Sequence, residues 1–214
     1  MSSVTKSRRQ VRLSRALGVA LTPKAKKYFD KRKARNKNVY PPGEHGGARK
    51  RADSDYALRL KEKQRLRAYY ALREKQLRKV YEGARRLSGL TGEVMVEKLE
   101  SRLDSIVMRA GFARTILQAR QAVVHRHIMV DGKILDRPGA SVKPGQTIQI
   151  KPTSQISKQF QVAALGSHQD ALGKTPEYLD VQIEKLIAKL VRPPLRKEVP
   201  IVVNEQFVVE YYAR

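Results

Sequence analysis

The chain has 214 residues, 45 Lys and Arg against 20 Asp and Glu, and so a net charge of +25. Its 41% of apolar residues can bury a core, while the charge excess implies a polyanionic partner. The absence of cysteine excludes a disulfide scaffold, a thiolate metal site and a cysteine nucleophile, and no apolar run reaches the length of a membrane span or a secretory leader.

Residues 1–51 hold 16 of the basic residues and only two acids, Asp30 and Glu44. This arm has little periodicity beyond Val11, Leu13 and Leu17, so alone it is expected to be poorly ordered and to fold against phosphate. Tyr40-Pro41-Pro42-Gly43-Glu44-His45-Gly46-Gly47 reads as a shaped turn, with prolines fixing φ and glycines permitting φ > 0. Asp53 or Ser54 caps a first helix carrying Tyr56, Leu60, Leu66, Tyr69 and Tyr70. A second helix shows the stripe Leu77, Val80, Tyr81, Ala84 and Leu87, and Ser88–Gly92 marks a boundary.

A third helix, capped by Thr91, is expected to run through Leu99, Leu103, Ile106, Val107 and Ala110 to Gly111. A fourth extends from about Arg114 to His125, burying Ile116, Ala119 and Val123. Asp131-Gly132 between Ile128-Met129-Val130 and Lys133-Ile134-Leu135 is a hairpin signal, because both turn residues need φ > 0. Pro144-Gly145 precedes an alternating strand, Thr147-Ile148-Gln149-Ile150. The spacing of Ile183, Leu186, Ile187 and Leu190 predicts a late helix. Ile201-Val202-Val203 and Phe207-Val208-Val209 predict terminal strands.

Catalytic vocabulary is thin: no nucleotide-binding glycine loop, zinc-protease helix or serine-hydrolase elbow occurs. Glu97, Glu100 and Asp104 suit a helix N-terminus, with Lys98 and Arg102 near enough to pair. The four histidines are too scattered in sequence for a recognisable metal site. Nucleic-acid-binding vocabulary is rich instead. Arg114, Gln118, Gln121 and His125 share one face of the fourth helix, Arg120 flanks it, and Lys133 lies at the neighbouring hairpin.

From Arg102-Leu103-Asp104 through Gly111-Phe112-Ala113-Arg114-Thr115 and Gln118-Ala119-Arg120-Gln121 to His125-Arg126-His127-Ile128-Met129-Val130-Asp131-Gly132-Lys133 and Val142-Lys143-Pro144-Gly145, the chain resembles the αL RNA-binding motif. The flanks, Tyr40–Gly46, Ser54-Asp55-Tyr56, Glu62–Arg67 and Val199–Arg214, resemble bacterial small-subunit ribosomal protein four. That resemblance implies an α+β fold: a discontinuous helical domain (52–91 and 176–214), an inserted α/β domain with the αL motif (92–175) and the basic arm (1–51). It implies a structural rRNA-binding protein, not an enzyme, that binds a multi-helix junction of small-subunit rRNA early in assembly. It further implies contact with the neighbouring fifth protein, an influence on decoding accuracy, proximity to mRNA at the entry channel, and a cytoplasmic or organellar ribosome. Neither a membrane nor a small-molecule substrate is implied.

The residues placed on rRNA are, in the arm, Arg8, Arg9, Arg12, Lys27, Arg32, Lys33, Arg35, Lys37, Tyr40, Pro41, Pro42, Gly43, His45, Gly46, Arg49, Lys50 and Arg51. Beyond it they are Lys61, Lys63, Arg67, Arg114, Thr115, Gln118, Arg120, Gln121, His125, His127 and Lys133, with Asn204, Glu205 and Gln206 near the protein partner. Many relatives carry a four-cysteine zinc site in the arm. Here Val11, Ser14, Lys27 and Arg32 occupy those positions, so a zinc-free form without cofactor is expected. Arg126 replaces the glycine usual between the two histidines, implying either backbone strain or an added phosphate contact.

Overall fold

The computed structural model describes residues 3–48, 52–168 and 172–213, with side chains from residue 9 onward. It divides into two compact units, Met1–Glu74 with Val202–Arg214, and Lys75–Ile201. Both chain ends therefore share one unit around an insertion. The junctions fall beside Glu74 and Ile201, whereas the sequence places them near residues 91 and 176.

The first unit is helical: α1 (Ser3–Leu17), α2 (Pro23–Ala34), α3 (Asp55–Tyr69) and the C-terminal helix α10 (Glu205–Ala213). The arm thus supplies two helices. Thr22 caps α2 by accepting from the Ala25 N–H (3.3 Å), and Pro23 sits in its first turn. Arg65 of α3 donates to the Leu17 carbonyl at the end of α1 (2.8 Å). Ser54 caps α3, as expected.

Residues 201–203 form no strand, and 205–213 are helical, which corrects the predicted terminal strands. A local signal outweighs the β-branched run: the Asn204 side-chain oxygen accepts from the Gln206 N–H (3.1 Å), starting the helix. Docking on α3 then holds it, through Arg59–Glu210 (2.6 Å) and the Asn204 N–H donating to Glu62 (3.0 Å).

The second unit contains α4 (Glu74–Arg85, whose first residue belongs to the other unit), α5 (Thr91–Glu100), α6 (Leu103–Arg109) and α7 (Ile116–Val124). It continues with β1 (Ile128–Val130), β2 (Lys133–Ile134), β3 (Thr147–Ile150), α8 (Pro152–Gln155), α9 (Lys158–Ala164), β4 (Leu179–Gln182) and β5 (Ile187–Leu190). The strands form one antiparallel sheet in the order β2-β1-β3-β5-β4. With the helices it makes an α+β fold.

The predicted third helix is broken. Arg102 is extended (φ −71°, ψ 144°) and bridges Ser141, while the Ala140 and Pro138 carbonyls accept from Leu103 and Asp104 at the start of α6. Leu90, not Thr91, stands at the cap of α5. The predicted late helix is instead the 3₁₀ turn Ile183–Lys185 leading into β5. Buried Leu186, Ala188 and Leu190 alternate with more exposed neighbours, and Ala188 pairs with Ile148 of β3. Sheet pairing outweighs the helical spacing.

Buried carboxylates organise the core of this unit. Glu100 accepts from Arg109 Nε and Nη2 (3.0 and 2.7 Å) and from the Tyr178 hydroxyl (3.0 Å), all three residues being buried. Burial, and next the Glu100 charge, push the Tyr178 pKa up.

At the end of α7, Arg126 adopts φ +62°. Its N–H donates to the Val123 carbonyl (2.9 Å) and the His127 N–H to the Ala122 carbonyl (3.1 Å), a Schellman closure with arginine where glycine is favoured. Arg126→Gly is therefore expected to stabilise the chain by roughly 0.5–1 kcal/mol, read as a higher unfolding midpoint in denaturant. A lower midpoint would show that the exposed Arg126–Asp136 pair outweighs the strain.

Candidate nucleic-acid interface

The α7 surface of the second unit is built from both sides. Ile116, Ala119, Ala122 and Val123 are buried, leaving a flank without a single acid. Thr115 caps the helix by accepting from the Gln118 N–H (3.2 Å), and the Gln118 Oε1 accepts from the Arg114 N–H (2.9 Å). The capping therefore consumes the Gln118 acceptor and leaves its amide N–H groups as donors. Arg114, Gln121 and His125 are exposed, as is Lys133 at the start of β2.

The Asp131-Gly132 turn has φ +49° and +79°, as the hairpin signal requires. Asp131 also latches the next loop, accepting from the Thr147 N–H (2.8 Å) and the Gln146 amide (2.7 Å). Gln146 in turn accepts from the Lys143 N–H (2.9 Å). The Thr147 bond, then that from Gln146, lower the Asp131 pKa, so the latch is charged at neutral pH. Lys133 and Lys143 thus ride on loops fixed to one another.

Not every expected donor faces outward. Arg120 grips buried Asp104 through Nη2 (2.8 Å) and Nε (3.2 Å), and Arg102 grips the same carboxylate (2.8 and 3.0 Å). The sequence set Arg102 and Lys98 near the Glu97, Glu100 and Asp104 cluster and Arg120 near a phosphate. A Cβ on Gly139 would come within 3.0 Å of Arg102, so glycine makes room for this arrangement. His127 is half-buried: its Nδ1 lies 2.9 Å from the Ser154 hydroxyl and its ring is edge-on to Phe160 at 5.6 Å. Desolvation, then the His125 and Lys151 charges, lower its pKa and keep it neutral at pH 7.

In the first unit the exposed cations include Arg9, Arg12, Lys27, Lys33, Arg35 and Lys37. The arm is held together by cations as much as by apolar contact. Arg15 donates to the carbonyls of Tyr40 (3.0 Å) and Pro41 (3.1 Å) and lies over the Tyr28 ring at 5.8 Å. Arg32 lies over both Tyr28 (5.9 Å) and Tyr40 (6.0 Å) and donates to the Asn38 carbonyl (2.9 Å). Gly43 has φ +110°, and a Cβ on Gly46 would meet the Pro41 carbonyl at 2.2 Å. Both glycines are therefore required by the turn, which leaves Tyr40 and His45 exposed and Pro41 and Pro42 half-buried.

Lys63 is buried, pairs with Glu74 (3.0 Å) and lies over the Tyr211 ring (4.5 Å), so it belongs to the core of this unit. Burial opposes charge on Glu74, but the Tyr212 hydroxyl and Lys63 outweigh it and lower its pKa. Lys61 pairs with Asp53 (3.3 Å) and Arg67 is half-buried. Asn204, Glu205 and Gln206 form the start of α10, with Asn204 and Gln206 exposed. Arg49, Lys50 and Arg51 and the Arg8 side chain lie outside the described residues.

The positions of a four-thiolate zinc site do not fit a metal. Ser14 is buried, donating to the Gln10 carbonyl (2.8 Å) and accepting from the Leu21 N–H (3.3 Å). Arg32 is committed to Tyr28, Tyr40 and Asn38, Val11 has no donor atom, and Lys27 is an exposed cation.

An acid-free helix flank beside an antiparallel hairpin, on a strongly basic chain, is the geometry of an RNA-binding domain. Residues 6–100 match the ribosomal protein S4/S9 N-terminal domain, and residues 101–148 match the S4 domain. The chain is 64% identical to the small ribosomal subunit protein uS4 of Beutenbergia cavernae over the full length of both. It is 61% identical to that of Leifsonia xyli subsp. xyli over 98% of each chain, and 59% identical to that of Bifidobacterium longum over the full length of both. The chain belongs to the small ribosomal subunit protein uS4 family, whose members are structural ribosomal proteins and not enzymes. Among the described residues no helix is long and apolar enough to cross a membrane.

Arg114→Ala and Lys133→Ala are each expected to reduce the log-affinity versus log-salt slope for RNA by about 0.7–0.9 while leaving the melting temperature unchanged. Arg120→Ala should instead lower the melting temperature, because Asp104 loses a partner inside the fold. For His127 the depressed folded pKa contributes stability above the unfolded value of about 6.5, and this is lost as pH falls through the folded value. His127→Asn should flatten that part of the stability–pH profile; an unchanged profile would place the titration on another group.

Proposed function

We propose that the chain is a structural rRNA-binding component of the small ribosomal subunit that clamps a multi-helix junction early in assembly. The acid-free α7 flank carries this reading, with Arg114, Gln121, His125 and Lys133 exposed on elements whose backbones are fixed by capping and hairpin pairing. The arm adds a second cationic surface, and electrostatic clamping with shape readout needs no catalytic group. Asn204, Glu205 and Gln206 supply the contact with the fifth protein, through which the chain influences decoding accuracy near the mRNA entry channel. Its place is the cytoplasmic ribosome.

The arm folds without zinc, held by Arg15 and Arg32 on Tyr28 and Tyr40. Sedimentation of cell extract through sucrose at low magnesium should place the chain with the small subunit, resistant to moderate salt. Material left at the top of the gradient would refute the structural role. The purified chain should carry no stoichiometric zinc, and a chelator should leave its thermal unfolding unchanged; a lowered midpoint would overturn the metal-free arm.

A further inference from the structure

The last turn of α2 and the segment after it border an open cleft of about 490 Å³, lined by Phe29, Asp30, Lys33, Asn36, Lys37 and Asn38. That volume lies within the range of small-ligand clefts, roughly 300–1,000 Å³. Its walls are fixed. Asn36 takes φ +50° at the end of α2, donating to the Lys33 carbonyl (2.9 Å), while the Lys37 N–H donates to the Arg32 carbonyl (2.9 Å). This is a Schellman closure with asparagine in the left-handed position. The Arg32 guanidinium holds the opposite side through the Asn38 carbonyl (2.9 Å).

The lining is a poor match for a bare phosphate, which wants donors alone. Here a carboxylate, two amides that both donate and accept, and an aromatic ring stand together, with two lysines beside them. An apolar ring for stacking, mixed donors and acceptors for a base edge, and ammonium groups for the flanking phosphates are the parts of a nucleotide site. Asp30 narrows the choice: a carboxylate accepts from an exocyclic amine and repels a carbonyl edge. We propose that this cleft seats one unpaired base of the bound RNA, a base carrying an exocyclic amino group (adenine, cytosine or guanine) rather than uracil. The proposal rests on the reading of the chain as an rRNA-binding protein, and it adds base recognition to a surface otherwise described by charge.

The test uses the full-length chain and a transcript of the 5′ region of small-subunit rRNA, probed with base-specific reagents (dimethyl sulfate and kethoxal) and with hydroxyl radicals. The wild type should protect at least one unpaired A, C or G next to backbone shielded by the arm. Phe29→Ala should restore reactivity at that base and weaken binding about tenfold, with backbone protection elsewhere and the salt slope retained. Asp30→Asn, which keeps the side-chain volume, should restore reactivity with a smaller loss of affinity and guards against a Phe29 variant that fails to fold. Lys33→Ala with Lys37→Ala should instead lower the salt slope. If both cleft variants leave base reactivity and affinity as in the wild type, the cleft takes no base and the proposal fails while rRNA binding stands. Loss of salt slope without any base protection would make it a phosphate site only, which also overturns the proposal. If the wild type leaves no footprint at all, the rRNA-binding reading falls, and the cleft proposal with it.

Discussion

Carboxylates are scarce in this chain, and the fold depends on where they are placed. In the inserted unit Glu100 and Asp104 are fully buried, each taking up guanidinium groups at hydrogen-bonding distance. In the other unit buried Glu62 and half-exposed Glu74 tie Arg65, Lys63, the Tyr212 hydroxyl and the Asn204 backbone together. A buried carboxylate deprived of its cation is strongly destabilising, so these pairs fix the packing of the elements that bear them. Arg114 and Lys133, by contrast, are exposed.

The arm shows the same economy with a different partner. It has few apolar residues to bury, so its two helices and the following turn are joined by guanidinium groups lying on tyrosine rings and bonded to backbone carbonyls. Residues that look like a diffuse basic tail thereby acquire defined positions. Arg15 and Arg32 serve the architecture of the arm, while Arg35, Lys33 and Lys37 remain exposed around it. The division between structural and exposed cations is a matter of which ring or carbonyl lies within reach.

Much of the local structure around the candidate site is legible in the sequence because its signals are local. The Asp131-Gly132 turn, the Ser54 cap and the apolar back of α7 follow from backbone sterics and helix period within a few residues. The errors came where neighbours distant in sequence decide. Ile183 to Leu190 carries helical spacing, yet β3 offers a sheet edge, so the segment pairs with it. Phe207-Val208-Val209 favours a strand by propensity, but the Asn204 cap and the α3 surface make it helical.

Charge, length, the hairpin and the Ser54 cap were determined by the sequence alone, since each rests on composition or on contacts spanning a handful of residues, while the family resemblance rests on motifs spread along nearly the whole chain. Tertiary structure decided which cations are free. Arg120 and Lys63 read like any other basic residues along the chain. Only folding brings Asp104 and Glu74 within about 3 Å of them, which makes both cations parts of the protein's own framework. An ion pair between distant residues leaves no periodic mark in a sequence, because its geometry comes from the packing of whole elements rather than from local spacing.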